Sequence, residues 1–215
     1  MHIFKTLLPF LVITLLFLLT GVILIVITDK QLLHLSANAL VGGSADVFFK
    51  YFTHVGDGIT VAIIIVLFSF LKGKKFYAYL SLGLSSFAVG GLLAQFFKRL
   101  VFSDFKRPFK VFGEQSLNLI DGVTLHGSFS FPSGHSTVSF VLFIYLAFLF
   151  RRYRYVQIFC AFLAILAAYS RVHISQHFIE DILAGAALGT FTFLLMLWLH
   201  KKYFFKAAFS DELKD

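Results

Sequence analysis

The chain has 215 residues, 59% of them hydrophobic and only 14% charged, with a mean hydropathy of +0.86 and a net charge of +8. Soluble domains are about 45–50% apolar and about a quarter charged, so this composition excludes an ordinary soluble domain and points to a membrane protein. With no soluble domain to carry a basic face, the positive charge suits anionic headgroups and anionic substrates rather than nucleic acid.

Residues 6–28 carry no charge over 23 positions, and residues 76–97 carry none over 22. At 1.5 Å per residue, each can cross a hydrocarbon core of roughly 30 Å. Weaker apolar segments cover 55–71, 136–150, 155–170 and 178–199. The spacing predicts an all-α integral membrane bundle of six transmembrane helices. It forms one domain over residues 1–215, with a core of about 6–200 and a short polar cytoplasmic tail at 201–215. The fourth and fifth segments are short and are expected to extend into their polar flanks. The first is too long for a signal-peptide core and lacks an A-x-A-like cleavage site, so it reads as a span. The first outer connector, 29–54, carries Leu32, Leu33, Leu35 and Leu40, then Phe48, Phe49, Tyr51 and Phe52, a pattern that suits an interfacial helix.

Basic residues set the orientation. Lys72-Gly73-Lys74-Lys75 and Arg151-Arg152-Tyr153-Arg154 fall in tight connectors on one side. The positive-inside rule makes that side cytoplasmic, with both termini inside. The single cysteine, Cys160, lies within a predicted span; it excludes an intrachain disulfide and reads as a small core residue. Gly185-x-x-x-Gly189 in the last span permits close helix packing within the bundle, with pairing of protomers into a homo-oligomer as the alternative.

Three polar stretches fall on the opposite, outer face: Lys98 with Arg107-Pro108, then Pro132-Ser133-Gly134-His135, then Ser170-Arg171 with His177 and Asp181. Pro and Ser suit a helix start, whose first N–H groups can hold an oxyanion, and Gly134 permits close approach of a phosphate. Taken alone, this tetrapeptide is equally well read as a plain helix start. His177 and Asp181, four residues apart, share a helix face, so the carboxylate can fix the imidazole tautomer. An isolated pair of this kind reads more readily as a hydrogen-bonded helix start. Arg171, Arg107 and Lys98 offer phosphate clamps, although each alone reads as a snorkelling interfacial residue. Their convergence on one face favours a phosphate site.

This set resembles the three-part signature of the type-2 phosphatidic-acid phosphatase superfamily. The second part matches as Pro132 to His135. The third matches as Ser170, Arg171, His177 and Asp181. The first departs: the family pattern is Lys, six residues, Arg-Pro, whereas eight residues separate Lys98 from Arg107 here, leaving Lys98 and Arg99 as alternatives for that position. The resemblance implies an enzyme acting without metal or cofactor on a lipid phosphate such as phosphatidylglycerol phosphate, phosphatidic acid or undecaprenyl diphosphate. His177 would attack phosphorus, Asp181 would orient it, and His135 would protonate the leaving group and then activate water. Lys98, Arg107, Arg171, Ser133 and the Gly134 amide would hold the phosphate oxygens. A lipid A phosphatase or a lipid phosphotransferase would share this site, and a lipid-phosphate-binding protein without turnover is the alternative of another class. His126 and His173 are placed in outer loops outside the chemistry. Glu180 is expected to face solvent or pair with a base, and Asp57 is read as a helix-start residue.

Overall fold

The computed structural model describes residues 5–40 and 42–210. All but Lys5 of the start expected to be cytoplasmic, 1–5, and the last part of the expected tail, 211–215, lie outside the described residues. Ten α-helices are present among the described residues, and no strand. They are α1 (Leu8–Ile27), α2 (Lys30–Asn38), α3 (Ser44–Phe52), α4 (Gly58–Ser69), α5 (Phe76–Phe96), α6 (Pro108–Phe112), α7 (Gly134–Leu149), α8 (Arg154–His173), α9 (Ile179–Leu199) and α10 (Lys206–Ser210).

The centre of the bundle is α7, packed against α4, α5, α8 and α9. Every residue from Ser136 to Leu149 except Leu146 is buried. A helix that is apolar all round belongs inside: this one runs 16 residues, roughly 24 Å, and packs against the longer α5, α8 and α9 as well as the shorter α4. α1 packs on α8 and α9 with only Phe10, Thr14 and Gly21 of its residues buried. Among the described residues three helical runs are each long and apolar enough to cross a membrane: Leu8–Ile27, Arg154–His173 and Ile179–Phe204. A bent run from Ser44 to Val101 makes up to four.

Several expected boundaries move. The second segment becomes a 12-residue helix, α4, preceded by a 3-10 turn at Thr53–Gly56. The connector at 29–54 holds two short helices, α2 and α3, rather than one. The tail is not merely a polar extension: α9 continues as a π-helical turn, His200–Phe204, and then α10 follows. Phe209 is fully buried there against Tyr79 and Phe148, because an apolar ring seeks the bundle even in a basic segment.

The two basic turns share one end of the bundle. Gly73 adopts φ +49°, a conformation glycine reaches without strain, and closes the turn between α4 and α5. From that turn Lys72 Nζ donates to the carbonyl of Leu149 at 2.7 Å, and Arg151 donates to Phe148 O at 3.1 Å. Cations therefore satisfy the C-terminal carbonyls of α7. The polar stretches lie at the opposite end.

Gly185 and Gly189 bring α9 against α7, so the pattern is used within the bundle. A Cβ at Gly185 would meet Ser133 O at 2.6 Å, and one at Gly189 would collide with Thr137 O. In a membrane such closeness stabilises through packing of small residues. Gly189→Val should cost about 1–3 kcal/mol through overpacking, read as a drop of several degrees in the melting temperature in detergent. Gly91→Ala is the control and should leave the melt unchanged, since its Cβ would come no nearer than 3.9 Å to Val138.

Candidate active site

His177 ends the loop that follows α8, and Asp181 lies in the first turn of α9, as the four-residue spacing predicts. Asp181 Oδ2 accepts from three donors: His177 Nδ1 at 3.1 Å, the Phe178 amide at 2.9 Å and the Ser130 hydroxyl at 2.5 Å. The carboxylate thus caps α9 and holds one imidazole nitrogen, leaving His177 Nε2 free. The loop is pinned from behind, because the His177 and Gln176 amides both donate to Arg171 O, at 3.1 and 2.9 Å. His177 is 1% exposed. Burial first, then the charges of Arg107, Lys98 and Arg171, push its imidazole well below its ordinary value of 6.5, which favours the neutral form.

The three cations converge. Arg107 NH1 donates to Gln176 Oε1 at 2.9 Å, and its Nε to Ser128 O at 3.0 Å. Arg171 NH1 donates to Thr53 Oγ1 at 2.7 Å, while its buried Nε has no partner among the described residues. Lys98 is only 7% exposed. It sits in a π-helical turn, Phe97–Val101, at the end of α5. That wider turn absorbs the irregular spacing before Arg107 and turns Lys98 inward, whereas Arg99 is exposed and bonds Gln95 at 3.3 Å.

Ser133 is the N-cap of α7; its hydroxyl accepts from Ser136 N at 3.3 Å and from Ser136 Oγ at 2.9 Å. A Cβ on Gly134 would find only Gln95 Nε2, at 3.9 Å, so the space before this helix start is open on the protein side. His135 Nε2 bonds Asp57 Oδ1 at 2.8 Å, and Asp57 Oδ2 bonds His54 Nδ1 at 2.7 Å. Asp57 therefore does more than begin a helix. Burial alone would raise its carboxyl, but the hydrogen bonds from His54 and His135 outweigh that and hold it below 3.8. The sequence reading also passed over Ser130, Gln176 and Thr53, which orient Asp181, Arg107 and Arg171.

The remaining polar residues serve the scaffold. Glu180 pairs with Lys30 at 3.1 Å. His173 Nε2 bonds Asp46 Oδ1 at 2.8 Å, tying α3 to α8. His126 lines the polar hollow beside Lys98 and Arg107. Cys160 is a buried free thiol.

His34 of α2 is fully buried between Phe112 and Phe178, near Ser175. Burial pushes its imidazole down to about 4. The unfolded chain protonates His34 below 6.5 and the folded chain only near 4, so stability is intact above 6.5 and is lost as pH falls through that window. The melting temperature should decline across it, by the equivalent of ~3 kcal/mol at the acid end. His34→Phe should make the decline shallower, leaving the part contributed by the depressed imidazole of His177.

The model of the PAP2 superfamily matches residues 78–205. This chain belongs to the PAP2 superfamily. Phosphatidylglycerophosphatase B of Bacillus subtilis is 36% identical over 83 residues, 35% of this chain and 41% of that protein. Lipid A 1-phosphatase of Rhizobium etli is 39% identical over 106 residues, 49% of this chain and 43% of that protein. The matched segments thus span less than half the length of these curated relatives. Among solved structures, LpxE of Aquifex aeolicus superposes with a TM-score of 0.65 at 22% identity, covering 77% of this chain and 93% of that one. A PAP2 type phosphatidylglycerolphosphate phosphatase from Bacillus subtilis gives 0.65 at 24% identity, covering 91% and 97%. Both likenesses show the fold. Together with its apolar helices, they make this PAP2 protein a multi-pass membrane protein.

Proposed function

We propose that this PAP2 protein is a metal-independent phosphatase that hydrolyses lipid phosphate monoesters or diphosphates through a phosphohistidine on His177. The observation that carries the reading is the buried His177–Asp181 pair facing three cations. An imidazole kept neutral by burial, with Nδ1 engaged, presents Nε2 as a nucleophile. Lys98, Arg107, Arg171 and the first amides of α7 hold the equatorial oxygens, where charge gathers as phosphorus is transferred. The Ser133 hydroxyl hydrogen is left to reach one of them.

The reaction balances in two steps. His177 Nε2 forms a bond to phosphorus as the P–O bond to the lipid breaks, and protonated His135 gives its proton to the departing oxygen. His135 then takes a proton from water, whose oxygen attacks the phosphohistidine and frees His177 and phosphate. With Nε2 held by Asp57, His135 Nδ1 is the nitrogen that exchanges the proton.

On this reading the chain crosses six times, the last crossing carried by α9, and the positive-inside rule supports basic turns inside and the site outside. The inner membrane of a bacterium is the corresponding location. The relatives named for phosphatidylglycerophosphate and lipid A support a phospholipid or glycolipid phosphate. The test is phosphate release by the purified protein in detergent with EDTA present, from phosphatidylglycerol phosphate, phosphatidic acid, undecaprenyl diphosphate and lipid A. Release from at least one is expected. No release from any by folded protein would instead favour a lipid-phosphate-binding protein without turnover.

A further inference from the structure

Two hollows meet at the outer end of α5. One, of about 410 Å³, is polar and carries Lys98, Arg107, His126 and Ser128. The other is an apolar groove of about 620 Å³ on the outward face of α5, formed by Val89, Leu92, Leu93, Phe96 and Leu100. Gln95 and Arg99 line both. The surface therefore runs without a break from hydrocarbon-facing side chains, with Leu92 70% exposed and Leu100 73%, to the cations of the site. Such a gradient fits an amphiphilic anion: the chain stays on an apolar wall, while the head reaches the polar end.

Whatever joins that chain to the reacting phosphate must pass Gln95 and Arg99. Arg99 Nε donates to Gln95 Oε1 at 3.3 Å, and its two terminal nitrogens have no partner among the described residues. They form a planar fork suited to a second phosphate. A lipid with a single phosphate next to its chain offers Arg99 only neutral ester oxygens. A lipid diphosphate, or one with an internal phosphodiester, places an anion there; both sources supply the same chemistry.

Building on the lipid phosphatase reading above, we infer that the outward face of α5 over residues 89–100 seats the substrate's hydrocarbon chain, and that Arg99 selects lipids carrying a second phosphate between chain and reacting phosphorus. The smaller hollow of about 290 Å³ behind Asp181, bordered by Lys30, Phe105, Val111 and Phe178, is the competing seat.

Two measurements test this independently. First, Arg99→Ala should lower kcat/KM for an isoprenyl diphosphate about tenfold or more, the worth of one charge-assisted contact, and for phosphatidic acid by less than about threefold. Equal losses on both substrates would remove Arg99 as a selector. Second, phosphatidic acid with a diazirine in its acyl chain is photolysed with His177→Ala protein in nanodiscs. Label should fall on residues 89–100 and be displaced by unlabelled phosphatidic acid but not by diacylglycerol. Displaceable label around α2 or at 105–111 would overturn the seat even if phosphate release is normal. Displaceable label on α5 without release from any lipid by the unsubstituted protein would uphold the seat and sink the phosphatase reading.

Discussion

His177→Ala is expected to abolish phosphate release, a loss on the order of 10⁴-fold or more, since no other histidine among the described residues is placed to take the nucleophile's role. The expectation rests on the arrangement rather than on the residue type. His135 is bonded through Nε2 to Asp57, and His173 is committed to Asp46 and 2% exposed. His34 is enclosed by two aromatic rings. Among the described residues only His177 combines a carboxylate on Nδ1 with three neighbouring cations. The measurement is release of labelled phosphate from a lipid substrate, with the melt of the variant as a check on folding. A rapid acid-and-alkali quench adds a direct reading: the unsubstituted protein should carry label that is stable in alkali and lost in acid, and the variant none. Turnover that survives the substitution would place the nucleophile elsewhere.

The second large effect is expected at Asp57. Asp57→Asn keeps the size and one hydrogen-bond acceptor but removes the charge that stabilises a protonated His135. General acid–base assistance contributes roughly 10²–10⁴-fold, so kcat for a lipid phosphate should fall about a hundredfold with KM little changed. The leaving group separates this role from a structural one. An aryl phosphate departs without help from an acid, so its first turnover should be nearly normal in the variant, seen as a burst of phenol followed by slow release of phosphate as water activation becomes limiting. A uniform loss on both substrates, or a lowered melting temperature that accounts for it, would reduce Asp57 to a scaffold residue. Its half-exposed position, with the side chain 41% accessible, leaves room for the substitution without a buried cost.

The pairs that could be read in advance are local. His177 stands two residues before α9 and Asp181 in its first turn, so a carboxylate that reaches back to cap the helix start meets the imidazole over a few residues of local backbone. Pro132, Ser133 and Gly134 likewise specify a helix start by their own conformational preferences. Asp57 escaped because its partner is 78 residues away. The one available signal was a carboxylate at the outer edge of an apolar segment, where an unpaired charge is costly. Lys98 was ambiguous because eight residues, not the six of the family pattern, precede Arg107; in the π-helical turn at Phe97–Val101 Lys98 is buried and Arg99 exposed. The connector at 29–54 was read from its apolar residues, whereas His34 and Asn38 set its role. Asn38 Nδ2 donates to Asn118 O at 2.8 Å and to Ser175 Oγ at 3.1 Å, anchoring α2 over the loop that carries His177.

By itself, then, the sequence determined the helical membrane class, the family signature, and the contacts made within a turn or two of helix, because hydropathy and backbone periodicity act over a few residues. Tertiary structure decided which carboxylate bonds which histidine, which of Lys98 and Arg99 turns inward toward Arg107 and Arg171, and why a 16-residue helix can lie at the centre. Those outcomes depend on close approach of α7 and α9 at Gly185 and Gly189 and on the docking of Thr53–Gly56 beside His135, and packing between segments distant in the chain leaves no periodic trace in either one.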